Sequence, residues 1–156
     1  MALSPGGKGT MSAQFTNVLA AIDGSESAWR AFDVAIAMTK ATGGALAVIT
    51  VGVALTGPEV AEFRRAEGHE TDAEEFFAER LLVEARERAD RAVGKPARTL
   101  LRWGDPAEAI INTIVEKKFD AIVVGRRGRG RLSGLLLGSV SQKLASLAPC
   151  IVVIVP

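Results

Sequence analysis

Five short apolar runs alternate with longer, polar-faced segments along the 156 residues, and this alternation leaves few architectures open. Asn17 to Asp23 (NVLAAID) reads as a buried strand running into an Asp-Gly-Ser turn. A helix is predicted over 25–42, with Ala28, Phe32, Ala35, Ile36 and Thr39 on one face and Gly43-Gly44 as its stop. Ala45 to Val51 (ALAVITV) is a second strand. A variable stretch containing Gly57-Pro58 leads into a charged helix over 72–93, whose inward stripe is Phe77, Leu81, Ala85, Ala89 and Val93. A third strand spans 97–103, and a fourth (AIVV) spans 121–124. Between them Asp105 is placed as N-cap, Pro106 as the first helical residue and Glu108 as the third, which makes a capping box. A glycine- and arginine-rich loop from Gly125 to Gly138 precedes a helix over 139–147 with Ser139 as its N-cap; Cys150 to Val155 (CIVVIV) is the fifth strand. Strands alternating with helices imply a parallel sheet covered on both faces, wound by right-handed crossovers into an open α/β sheet. Ligands of such sheets bind beyond the carboxyl ends of the strands, where the winding reverses. Here the loops after strands one and four are the ones to watch.

Composition removes much of the catalytic menu. One Cys, one His and no Tyr leave no internal disulfide and too few ligands for a Cys/His zinc site. Any imidazole-based centre must use His69, which lies in an acidic stretch and reads as a solvated loop residue. Cys150 reads as a small buried hydrophobe, and Trp29 and Trp103 as packing or half-exposed residues. Nineteen basic against eighteen acidic residues argue against nucleic-acid binding through bulk charge. No apolar run approaches a membrane span, so no membrane is expected. Residues 1–14 carry no apolar signal core and are read as a flexible arm ahead of one domain over 15–156; together with a lone Cys this suggests the cytoplasm.

The segment that carries chemistry runs from Val124 to Ser141. Glycines allow close approach to an anion and positive φ. The N–H groups of Gly138, Ser139 and Val140 sit at a helix N-terminus, and the hydroxyls of Ser139 and Ser141 are donors for phosphate oxygens. Arg126, Arg127, Arg129 and Arg131 add positive potential. There is no GxxxxGK[ST] and no complete G-x-G-x-x-G, so neither the P-loop nor the dinucleotide fingerprint applies. The plain alternative is a flexible basic connector. For Asp23 it is a turn-capping carboxylate.

The spacing Gly125-x2-Gly128-x9-Gly138-Ser139 resembles the ATP-binding signature of the universal stress protein family. The Asp23-Gly24-Ser25 turn, the Gly104-Asp105-Pro106 helix start and the closing Pro149-Cys150 strand resemble it more weakly. The resemblance implies a three-layer, Rossmann-like fold of the adenine nucleotide α-hydrolase type, its five parallel strands in the order 3-2-1-4-5. It implies ATP, with Mg²⁺ or Mn²⁺ as counter-ion, between the ends of strands one and four. Asp23 would then meet the ribose or adenine side, with Ala21 and Ile22 lining the pocket and Val51 facing adenine. Val124, Gly125, Arg127 and Gly128 would lie along the ribose and α-phosphate. Gly138, Ser139, Val140 and Ser141 would hold the β- and γ-phosphates.

In that strand order Ile151 to Val155 forms a sheet edge that is apolar on both faces, with no charge, bulge or internal Pro to protect it. A two-fold homodimer through this strand is expected. Residues 59–93 hold eleven acids and six arginines, read as a solvated helix face with pairs such as Glu84 with Arg88. The motif offers binding groups but no evident base or nucleophile. The reading is a homodimeric ATP-binding sensor or regulator with at most slow hydrolysis. The alternatives are an interaction module independent of nucleotide, a binder of AMP or cyclic AMP, and a true enzyme of the same α/β class, which would need further motifs.

Overall fold

The computed structural model describes residues 15–52, 57–67, 73–129 and 137–156. The expected arm at 1–14, His69, and Gly130 to Leu136 of the basic loop lie outside the described residues. Strands β1 (Asn17–Ala21), β2 (Ala45–Val51), β3 (Arg98–Arg102), β4 (Ala121–Gly125) and β5 (Ile151–Val155) form one sheet in the order β3-β2-β1-β4-β5. Every pairing is parallel. The helices are α1 (Glu26–Thr42), α2 (Gly57–Glu67), α3 (Ala73–Val93), α4 (Pro106–Lys117) and α5 (Ser139–Leu147).

The alternation of side chains along each strand feeds two separate cores. Val18, Ala20, Val48, Ala121 and Val123 pack with α1 and α3 on one face. Leu19, Ala47, Ile49, Ile122 and Val124 pack with Ile110 and Ile114 of α4 and Leu144 of α5 on the other. All five residues expected to face inward on α1 are buried, and Phe32 at its centre is fully so. Full burial of a side chain that size contributes about 1.5–3 kcal/mol. On α3 the inward stripe is Leu81, Ala85 and Ala89, with Phe77 and Val93 at its partly covered ends.

The winding reverses between β1 and β4: the helices after β1 and β2 lie on one face, and those after β3 and β4 on the other. The loops leaving β1 and β4 therefore diverge and open a crevice at the carboxyl end of the sheet.

Helix ends follow local chemistry. Ser25 caps α1 by accepting the Ala28 N–H at 3.2 Å, and Gly43, at φ 73°, closes it. Asp105 caps α4 by accepting the Glu108 N–H at 3.0 Å, with Pro106 in the first turn as expected. Three expectations are corrected. The stretch at Gly57-Pro58 is not merely a connector but begins α2, with Pro58 and Glu59 in its first turn as a Pro-led helix start requires. The N-cap of α5 is Gly138, not Ser139. Arg88 pairs not with Glu84 but with Asp33 across the α1–α3 contact at 2.6 Å, and its guanidinium lies 5.5 Å from the centre of the Trp29 ring.

Candidate nucleotide site

A cavity of about 280 Å³ occupies the crevice, close to the lower end of small-ligand pockets. Its walls include Ala21, Ile22 and Asp23 from the end of β1, Val51 from β2, and Val124, Gly125, Arg127 and Gly128 from β4 and its loop. Gly138, Ser139, Val140 and Ser141 close it from the start of α5. The twelve residues that the family resemblance assigned to the nucleotide thus line one space, whereas Arg126 does not line it and Arg131 lies outside the described residues. Arg129, expected from the sequence as positive charge in the loop, lines it as well; so do Ser25, Ala28, Ile49, Pro106, Ile110 and Leu137, which the sequence did not single out as site residues. Ile49 was recoverable, because it shares a strand face with Val51 two residues on. Pro106 and Ile110 were not: they arrive from α4 by tertiary packing.

The two switch-point loops are clipped together by Asp23. Its Oδ1 accepts the Ser25 N–H at 3.0 Å and its Oδ2 accepts the Arg129 N–H at 3.1 Å. A turn carboxylate and a site-forming carboxylate are here one group.

The described glycines of the motif work by size and not by positive φ, which occurs at Gly24, Gly43, Gly94 and Gly104. At Gly125 a Cβ would stand 2.7 Å from the Ser27 carbonyl carbon and 2.8 Å from the Ala28 nitrogen, so the glycine lets β4 close on the start of α1. At Gly128 a Cβ would stand 2.7 Å from Asp23 Oδ2. These two positions admit no side chain without moving the crevice wall.

Three helix N-termini border the cavity, and their caps differ. Those of α1 and α4 are closed by the Ser25 and Asp105 side chains. That of α5 starts at Gly138, with no side-chain cap. The N–H groups of Ser139, Val140 and Ser141 therefore have no capping side chain, at the positive end of the helix dipole. Gly138 differs from expectation: its N–H donates to the Arg126 carbonyl at 2.8 Å. Ser141 differs too. Its buried hydroxyl stands 2.9 Å from the Arg126 carbonyl and 3.0 Å from that of Gly138, so it staples the loop to the helix. Ser139 lines the cavity and is exposed.

Charge around the cavity is distributed unevenly. The Arg129 guanidinium lies 4.9 Å from the centre of the Phe77 ring and pairs with Glu59. On the far rim Lys143 stands 3.5 Å from Asp105, whose carboxyl is held below its usual range first by the Glu108 N–H and further by Lys143. Outside the site, burial pushes the Cys150 thiol up, which suits its half-buried, structural setting. Among the described residues no group of three or more His, Cys, Asp or Glu is placed to hold a metal ion, and no helix is long and apolar enough to cross a membrane.

An open parallel sheet with a crevice at its reversal point and one uncapped helix N-terminus aimed into it defines the anion-receptive α/β class. The chain belongs to the universal stress protein family, whose model matches residues 14–156. A universal stress protein of Thermus aquaticus is 40% identical over 147 residues, covering 90% of this chain and 98% of that one. The universal stress protein UspA from Lactobacillus plantarum shares the fold with a TM-score of 0.76 at 22% identity, covering 92% of this chain and 99% of that one. A universal stress protein solved in complex with cAMP is 28% identical with a TM-score of 0.67, covering 91% of this chain and 97% of that one.

Proposed function

We propose that this universal stress protein binds ATP in the switch-point crevice and acts as a sensor or regulator. The observation that carries the reading is the uncapped start of α5, facing a cavity whose opposite wall is apolar. Ala21, Ile22 and Val51 offer a dry surface for a base, with Asp23 beside them. Val124, Gly125, Arg127 and Gly128 lie where a ribose and first phosphate would follow. The N–H groups at the start of α5 and the Ser139 hydroxyl are the donors for the terminal phosphates, while Gly138 and Ser141 position them. A bound triphosphate would bring Mg²⁺ or Mn²⁺ with it.

The site is built for holding rather than for turnover. Asp23, the carboxylate in the crevice, already receives two backbone N–H groups and is poorly placed as a base. Hydrolysis of ATP is expected to be slow at most. We also propose a cytoplasmic protein that acts as a homodimer through β5; what supports the dimer is that β5 is an edge strand on which Ile151 is 48% exposed. Light scattering of the wild type and of Ile154→Pro tests the dimer, because Ile151 and Val155 direct their backbone groups to β4 and leave the N–H of Ile154 on the free edge.

Calorimetric titration with ATP, ADP, AMP and cAMP, with and without Mg²⁺, tests the nucleotide reading. Heat of binding with ATP supports it, and silence from all four at millimolar concentration overturns it. Cyclic AMP belongs in the series because the 28%-identical relative was solved with it.

A further inference from the structure

The guanidinium of Arg129 has no part in the proposed nucleotide contacts, although the residue lines the cavity and its side chain is only 25% exposed. Three contacts fix it. Its backbone N–H donates to Asp23, its guanidinium stacks on Phe77 of α3, and the same guanidinium pairs with Glu59 in the first turn of α2. Glu59 is itself only 33% exposed, so the pair is shielded from solvent more than an ordinary surface pair. Among the elements α2 packs chiefly on α3. The ion pair to Arg129 is therefore a tie between α2 and the loop that walls the cavity.

We propose that Arg129 is a further anion-reading residue of this site and that Glu59 is its internal competitor. The Glu59 carboxylate occupies the position on the guanidinium that an oxygen of a polyphosphate would take. A bound polyphosphate draws Arg129 away from Glu59, and α2 loses that tie. The site thereby favours ligands with enough negative charge to outcompete a carboxylate already in place, and α2 reports occupancy. This rests on the reading of the crevice as a phosphate site, but the exchange concerns anion chemistry and not the nucleoside.

The test uses Glu59→Gln, Glu62→Gln as a charge-matched control on the exposed side of α2, Arg129→Gln, and the Glu59→Gln/Arg129→Gln double variant. Tripolyphosphate and ATP are titrated into each, and hydrogen exchange is followed over 57–67. Glu59→Gln is expected to bind both ligands roughly three- to tenfold more tightly than wild type, the scale of a partly shielded charge pair. Glu62→Gln should change little, and the gain should vanish in the Arg129→Gln background. Exchange over α2 should rise in Glu59→Gln without ligand, and in wild type on adding tripolyphosphate. Unchanged or weaker binding by Glu59→Gln overturns the proposal. So does an equal gain in Glu62→Gln, or α2 exchange indifferent both to the substitution and to tripolyphosphate. Wild type silent to ATP, beside a responsive α2, would overturn the nucleotide reading and leave the exchange standing.

Discussion

Gly128 lies against Asp23 so closely that a Cβ on it would stand 2.7 Å from Oδ2, the oxygen that receives the Arg129 N–H. The glycine and the carboxylate therefore form one device: the first makes room for the second to clip the loop. Gly128→Val should push Asp23 off the Arg129 N–H and weaken ATP binding by about tenfold or more, or ~1.4 kcal/mol. Thermal unfolding should change little, since Gly128 is not in a left-handed conformation. Titration beside a melting curve checks both halves.

Gly138→Asp separates stability from binding. The position has φ −71° and extended backbone, and a Cβ there meets only ordinary contacts from 3.4 Å, so a capping side chain fits. The new carboxylate should stabilise α5 by a few tenths of a kcal/mol, as a good N-cap does over glycine. It should also occupy the N–H groups meant for phosphate and abolish ATP binding in calorimetry. A variant that is more stable and yet binds normally would place the phosphates elsewhere.

Ser139 and Ser141 should part company. Ser141→Ala removes a buried hydroxyl from the Arg126 and Gly138 carbonyls and should cost about 1 kcal/mol in urea unfolding. Ser139→Ala leaves a surface position within about 0.5 kcal/mol of wild type and weakens binding severalfold.

Lys118 closes α4 at φ 54°, an αL position held by a residue with a side chain. Lys118→Gly should raise stability by about 1 kcal/mol, because the Cβ strain of that conformation disappears. A higher midpoint in urea at unchanged slope is the expected result.

Asp105 gives the fold a pH signature. Its folded pKa is depressed, first by the Glu108 N–H and then by Lys143, so its stabilisation is fully present above the unfolded value of about 3.9 and is lost as pH falls through the lower folded value. Asp105→Asn should unfold more easily than wild type at neutral pH, and the difference should shrink below about pH 4. Urea midpoints across that range measure it.

The elements that local chemistry dictates could be read from the chain alone. Asp105, Pro106 and Glu108 mark the start of α4 by capping rules, and Ala28, Phe32 and Ile36 mark the buried face of α1 by period. The strand order came from resemblance to a family, because apolar runs do not say which neighbour they pair with. The α5 start was misplaced by one residue: a serine is the better cap by propensity, but here the uncapped glycine takes the position. The Arg88–Asp33 pair bridges 55 positions of sequence, so helical spacing pointed to the wrong partner. Arg129 was seen as charge in a loop. Only the folded chain shows that Phe77 and Glu59 hold it at the cavity.

The last residues of the sheet are tied to the same loop. The Val155 carbonyl accepts the Arg126 N–H at 2.7 Å and the Ser27 hydroxyl at 3.1 Å, and the Pro156 carbonyl accepts Arg30 Nε at 2.7 Å. For anyone handling the protein this turns a routine choice into a consequential one. A purification tag, fluorophore or fused domain joined after Pro156 begins its path next to the peptide unit that holds Arg126 and Ser27 in place. The same cargo carried ahead of residue 15 attaches at the amino end of β1, the opposite end of a parallel sheet.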